Sequence, residues 1–284
     1  MNTSDDLVYA GLHVSPDVDT VCYALAGCYD EERGWGLRDD TFANAEALRR
    51  YGAGWFAVGD EDLATHLRRT TLLRGGATLT EATAGLARAM GLGARVLPMS
   101  DGPVRTVVDT EDGRLAFQEY LVHRRAEPAV RAVEYDGLAG AGPAPGVLEA
   151  IGSAGVVVVA PSSPVASINP ILGLSGVRAA LRARPVTAVT PVVSGRAPAT
   201  GPERSRAKVR AAFMAATGLE HRAAAVAALY ADFADGFVLD VTDAEQQPEI
   251  EALGPTVLLA DTLAPPAERA PLARSVLDFA RSLR

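Results

Sequence analysis

A helical period of apolar positions emerges at Ser15. Val18, Val21, Cys22 and Leu25 line one stripe, Ser15 is placed to cap and Pro16 to open the first turn, so the spacing predicts a helix over 15–27. Further helical patterns run over 40–51, 60–74 and 80–90, stopped by Gly52, by Gly75 and Gly76, and by Gly91. The period then shortens to two. Segments 95–99, 104–110, 115–122 and 130–135 read as β-strands, with Asp112-Gly113 as a hairpin turn.

From residue 146 helix and strand alternate. Helices are expected over 146–153, 176–183, 203–217, 223–234 and 265–283, and strands over 156–160, 186–189, 237–241 and 256–260. Val156–Val159 is continuously apolar, the habit of a strand covered on both faces. The expected fold class is α/β: a Rossmann-like parallel sheet flanked by helices, with a smaller inserted set of helices and antiparallel strands. Residues 1–284 read as a single α/β domain, 40–136 as an inserted α+β subdomain, and Gly137–Pro145 as a connecting loop.

Composition narrows the class. Of 284 residues, 48% are hydrophobic and 22% charged, which suits a soluble chain with a real core. The longest near-continuous apolar run, Ala154 to Ala160, is far short of the ~20 residues of a membrane span. No signal peptide is visible, so a cytoplasmic protein without a membrane partner is expected. The net charge is −8 with no basic face, which argues against nucleic acid. Cys22 and Cys28 fit neither a disulfide framework nor a zinc spacing and read as two small buried thiols.

Two groups of residues carry candidate chemistry. Asp5, Asp6, Asp17 and Asp19 are hard oxygen ligands of the kind that hold Mg²⁺ together with substrate phosphates. An Asp in the first turn of a helix also serves the helix itself, which covers Asp17 without any ion. Asp17 and Asp19 lie about 200° apart around a helix, so a regular helix cannot aim both at one ion. Pro161-Ser162-Ser163-Pro164 follows the strand over 156–160, where ligands of open α/β sheets bind. With Ser167 it could cradle a phosphate, or be a proline-bracketed turn that caps a helix. His66 reads as a structural residue on its helix. Trp35, between Gly34 and Gly36, offers a flat face for a ring system or for the core. No Walker loop, Gly-x-Gly-x-x-Gly or Gly-x-Ser-x-Gly is present.

Taken as strings, these segments resemble one family. Asn2-Thr3-Ser4-Asp5-Asp6 is similar to Asn-Thr-Gly-Asp-Asp, and Ser15-Pro16-Asp17-Val18-Asp19-Thr20 to Ser-Pro-Asp-Leu-Asp-Thr. Gly34-Trp35-Gly36, Gly59 to His66, Leu97 to Asp101, Phe117 to Tyr120, Pro161 to Pro164 and Ser167 to Leu172 follow in the family's order. The family is 2-phospho-L-lactate transferase of coenzyme F420 biosynthesis. The resemblance implies transfer of a phospholactyl or phosphoenolpyruvyl group from a GMP-activated donor to the deazaflavin Fo, with release of GMP, Mg²⁺ as cofactor and a homodimer as the assembly. It implies Asp5 and Asp19 as the catalytic and metal-binding pair. Asn2, Asp6, Asp17, Thr20, Trp35 and Asp60 would line the ion and acceptor cleft, to which the 40–136 subdomain contributes. Pro161, Ser162, Ser163 and Ser167 would face the guanosine diphosphate.

Departures from the family pattern are also visible. The family opens with a strand and a glycine-rich phosphate loop upstream of the segment matched by Asn2, so an N-terminally truncated chain is expected, either through a late start codon or as a degenerate copy. Ser163 stands for the usual Asn, Ser4 for a Gly, and Gly195–Lys208 replaces a shorter Gly-Pro segment. Two alternatives follow: a nucleotide- or sugar-nucleotide-binding regulator of the gluconeogenesis-factor type, or an inactive truncated paralogue.

Overall fold

The structure, a computed structural model, describes residues 1–195 and 201–283. Residues 196–200 of the arginine-rich Gly195–Lys208 stretch lie outside the described residues. Two compact units are present: Met1–Pro145 with Ala199–Val209, and Gly146–Pro198 with Arg210–Arg284.

The first unit starts with a hairpin, β1 (Leu7–Tyr9) and β2 (Leu12–Val14). Helices α1 (Pro16–Leu25), α2 (Ala43–Arg50), α3 (Asp60–Arg74) and α4 (Leu79–Ala89) follow. Strands β3 (Arg105–Thr110), β4 (Gly113–Ala116) and β5 (Val130–Asp136) form an antiparallel sheet in the order β4-β3-β5. The β1–β2 hairpin is not among the expected elements. Its turn residues Ala10 and Gly11 have φ of 50° and 78°, the mirror-image turn that matches strand twist, and Ala is an unusual residue there. The β3–β4 hairpin forms where Asp112-Gly113 signals it, with Gly113 paired to Thr110.

Two expected strands give way to other structure. Segment 95–99 joins no sheet; Met99 instead links separate segments, donating its N–H to Met1 O at 2.7 Å and accepting from Ala144 N at 2.9 Å. Segment 115–122 is strand only to Ala116. Residues 119–123 wind into a wide turn closed by Arg124 N to Glu119 O at 2.9 Å, which buries Tyr120.

The second unit is a parallel sheet, in the order β6-β7-β8-β9, of β6 (Val157–Val159), β7 (Val186–Val189), β8 (Gly236–Asp240) and β9 (Thr256–Ala260). Its helices are α5 (Val147–Ser153), α6 (Asn169–Leu172), α7 (Val177–Arg182), α8 (Gly201–Ala216, whose first residues belong to the first unit), α9 (Ala223–Tyr230), α10 (Gln247–Glu251) and α11 (Arg269–Ser282). β7 and β8 are buried along their whole length, whereas β6, the run read as covered on both faces, is half-buried at the end of the strand order. Phe237 and Leu239 are fully buried, each contributing roughly 1.5–3 kcal/mol of apolar burial. Gly236 opens β8 because a Cβ there would meet Leu283, Phe279 and Thr187 within 2.9 Å, so the absence of a side chain lets α11 lie close on the sheet.

Candidate active site

The acidic loop ahead of β1 folds on itself through Asn2. The Asn2 Oδ1 accepts from Ser4 N at 2.9 Å and Ser4 Oγ at 2.8 Å, a local turn typical of Asn. β3 anchors the loop from the other side: Thr106 N donates to Ser4 O, and Thr106 Oγ1 to Ser4 Oγ, both at 2.8 Å. Asn2, Ser4, Asp5 and Asp6 are all buried as a result.

Asn2 also reaches α1, donating from Nδ2 to Asp17 Oδ2 at 3.1 Å. Burial and the charge of Asp17 push the Asp5 carboxyl well above its ordinary range. Burial likewise pushes Asp17 up, with the charge of Asp6 adding to it and the Asn2 hydrogen bond opposing it. The N-terminal amine and the Arg206 guanidinium offset part of this effect at Asp17. Among the described residues Asp6 is held through one oxygen: Oδ2 takes His13 Nε2 at 2.9 Å and Ser15 Oγ at 2.8 Å, while the buried Oδ1 has no partner there.

Asp19 lies in different surroundings. The guanidinium of Arg69 forks onto it, Nη1 to Oδ2 at 3.0 Å and Nη2 to Oδ1. Burial pushes Asp19 up while Arg69 and His66 pull against it, and Asp19 in turn holds the fully buried Arg69 above its usual range. His66 Nδ1 lies 3.3 Å from Arg69 Nη1 and 3.6 Å from Asp19 Oδ2, and its Nε2 lies 3.3 Å from Asp62 Oδ1. Asp62 also accepts from Tyr23 OH at 2.6 Å. Burial of Asp62 is outweighed by His66, Tyr23 and Arg69, which lower its carboxyl below the usual range. His66 is thus one member of a buried charge network.

The other predicted residues of this unit have identifiable neighbours. Thr20 is half-buried on α1. Trp35 packs edge-on against Phe42, at 5.7 Å between ring centroids, and the Arg33 guanidinium lies over both rings. Asp60 accepts from Ala43 N and Asn44 N at 3.0 Å each and from Asn44 Nδ2 at 2.7 Å, so its carboxylate caps the start of α2.

In the second unit, Pro161 is exposed and Ser162 half-buried after β6. Ser163 Oγ accepts from Ala166 N at 3.2 Å, and Ser163 O accepts from Ser167 N and Ile168 N, both at 3.0 Å. The loop therefore does form a turn capped by its serine, with Ser167 buried inside it.

The sequence profile of the family described as 2-phospho-L-lactate transferase CofD matches residues 1–253. The chain belongs to this family. It is 38% identical over 270 residues to a 2-phospho-L-lactate transferase of Methanosarcina mazei, covering 95% of this chain and 86% of that protein. A phosphoenolpyruvate transferase of Streptomyces griseus is 42% identical over 298 residues, 100% of this chain and 90% of its own. One from Streptomyces avermitilis is 45% identical over 263 residues, 89% and 80% of the two chains. Among solved structures, a UPF0052 family member from Bacillus halodurans is similar in fold, with a TM-score of 0.57 at 14% identity over 97% of this chain and 89% of that one.

Beyond the expected site residues, the structure brings His13 and Ser15 onto Asp6, and Arg69 and, through His66, Asp62 into the network around Asp19. Arg69 stands fifty residues from Asp19, and no local pattern links them. The available signal was the polar spacing Asp62, His66, Arg69 along a helix that also carries leucines.

Among the described residues, no three His, Cys, Asp or Glu side chains form a metal-holding group, and no helix is long and apolar enough to cross a membrane. A Mg²⁺ ion would therefore take two carboxylates here and complete its shell from substrate and water, which is its usual habit. Asp5 and Asp17 are the candidates for that role: burial pushes both carboxyls up, the charge of Asp17 adds to this at Asp5, and neither is forked by a guanidinium as Asp19 is. Asp19 fits it less well, since Arg69 already engages both of its oxygens.

Proposed function

We propose that this chain transfers a phosphoenolpyruvyl or phospholactyl group from a GMP-activated donor to the deazaflavin Fo, in coenzyme F420 biosynthesis. The observation that carries the reading is membership of the 2-phospho-L-lactate transferase family across residues 1–253. The phosphoenolpyruvyl donor is favoured: three Streptomyces relatives named phosphoenolpyruvate transferase are 41–45% identical to this chain, against 36–40% for five methanogen relatives named 2-phospho-L-lactate transferase.

In this reading the Fo hydroxyl oxygen bonds to the phosphorus that carries the three-carbon group. The bond from that phosphorus to the GMP phosphate oxygen breaks, the hydroxyl proton passes to solvent water, and GMP leaves with the electron pair. Catalysis of this kind is mainly positioning and electrostatics. Asp5 and Asp17 would hold Mg²⁺, which when bound supplies neutralisation of the donor's diphosphate charge. Asn2 orients Asp17, and Asp6 ties His13 of β2 to Ser15 ahead of α1. The Trp35 face beside Phe42 suits the flat deazaflavin ring, with Asp60 acting through the α2 terminus that it caps. Pro161, Ser162, Ser163 and Ser167 would meet the guanosine diphosphate.

Incubation of the purified chain with Fo and each of the two GMP-activated donors, followed by mass spectrometry, tests this reading. The expected product is the phosphoenolpyruvyl adduct of Fo, formed faster than the phospholactyl adduct. Nucleotide binding without any adduct from either donor would favour the regulator reading instead.

A further inference from the structure

Two aspartates of α1, two residues apart, have different partners. Asp17 ends on the amide of Asn2, whereas Asp19 ends on a guanidinium that solvent does not reach. Arg69 comes from α3, and the buried residues of that helix are Asp62, Thr65, His66, Arg69 and Thr70. Every one is polar, while Leu67 of the same helix is 49% exposed. A helix that buries its polar stripe and leaves a leucine in water is not oriented by hydrophobic packing alone.

The stripe grips the chain on both sides of Ser15-Pro16-Asp17. Thr70 Oγ1 accepts from His13 N at 2.8 Å, and Arg69 Nη1 lies 3.4 Å from His13 O. Beyond the tripeptide, Arg69 holds Asp19 with both terminal nitrogens. A carboxylate forked in this way has both oxygens engaged, and the guanidinium beside it repels a second cation.

We propose that Arg69 is a positioning residue and that Asp19 acts on the site only through it. The Arg69–Asp19 clamp fixes the first turn of α1, so that Asp17 is presented to Asp5 while Asp19 is withheld from the ion. This rests on the reading that Asp5 and Asp17 hold a divalent cation.

The test combines Mn²⁺ titration, followed by electron paramagnetic resonance, with thermal unfolding of the metal-free chain. Asp17→Asn should weaken Mn²⁺ binding at least about tenfold, whereas Asp19→Asn and Arg69→Gln, which loosen the presentation of Asp17 without removing a ligand, should each weaken it by about threefold. Asp19→Asn and Arg69→Gln should each lower Tm, and the double variant should recover most of the loss, because no charge is then left buried alone. With Fo and donor, Asp19→Asn should lower kcat at least about tenfold and leave the donor KM within about threefold. Mn²⁺ weakened as much by Asp19→Asn as by Asp17→Asn would overturn the proposal, and so would Tm losses that simply add in the double variant. A wild-type chain that bound no Mn²⁺ would count against the ion reading, and the Tm cycle would then decide the clamp alone.

Discussion

The carboxylate of Asp40 occupies the space that a side chain at residue 59 would need: a Cβ on Gly59 would stand 2.0 Å from Asp40 Oδ2. That approach lets Asp40 accept from Glu61 N at 2.9 Å and Asp62 N at 3.0 Å, capping α3, the helix that carries His66 and Arg69. Asp60, at the start of α3, returns the favour to α2, so the two helix starts are tied reciprocally.

Gly59→Ala should therefore displace Asp40 and release the start of α3. The backbone at Gly59 has φ of −69°, so the effect comes from the contact and not from chain conformation. The expected loss is about 1–3 kcal/mol, a cap plus overpacking, read by urea unfolding. Asp40→Ala should cost less, since it removes the cap without a clash. A Gly59→Ala chain as stable as wild type would show that α3 does not depend on this contact.

Asp240 links the end of β8 to the segment after β9. Its Oδ1 accepts from Thr242 N and Oγ1, and its Oδ2 from Thr262 N and Oγ1, at 2.7–3.0 Å. Burial opposes the charge, but these four bonds outweigh it and hold the carboxyl below its usual range. A depressed folded value means that the stabilisation is complete above the unfolded value near 4 and is lost as pH falls through the folded value. Asp240→Asn should lower stability by roughly 1–3 kcal/mol at neutral pH and flatten its acid-side decline. Parallel acid-unfolding curves for the two proteins would contradict this.

For Ser163, removing the hydroxyl should cost about 1 kcal/mol, the usual worth of a cap, because Oγ accepts from Ala166 N. Asn caps as well as Ser, so Ser163→Asn should leave stability unchanged. If the loop meets the nucleotide, the longer amide should also tighten GDP binding in the presence of Mg²⁺, by at most about tenfold. Calorimetric titration checks this, and weaker binding by Ser163→Asn would mean that the loop is built around serine.

Most regular elements could be read from local spacing. The α3 boundaries, Asp60 to Arg74, follow from a glycine on each side, and β7 and β9 from short β-branched runs between turn residues. The β1–β2 hairpin could not, because Ala10 adopts a left-handed conformation that its residue type does not announce. Segment 95–99 has strand composition, but Met99 spends its backbone groups on two separate segments rather than on a ladder. In the site, the resemblance gave the ion and the catalytic role to Asp5 and Asp19 and left Asp17 in the surrounding cleft; the reassignment of Asp17 and Asp19 proposed here was not legible in sequence order. It rests on Arg69, which α3 brings to Asp19 of α1 and to the carbonyl of His13 on β2. The buried positions of α3 are polar while Leu67 is exposed and Leu63 only partly covered, and hydrophobic periodicity has no means of finding such a stripe.

The most direct measurement is Fo-dependent release of GMP by wild type and by Asp5→Asn, with unfolding of both followed in parallel. Burial and the Asp17 charge make an ionised Asp5 unfavourable in the folded chain, so an amide of the same shape should leave the metal-free protein as stable or more stable. GMP should appear in step with the Fo adduct for wild type, and Asp5→Asn should lower this rate by about 10²-fold or more without loss of fold. Near-normal GMP release by Asp5→Asn, or release from wild type that does not require Fo, would contradict it.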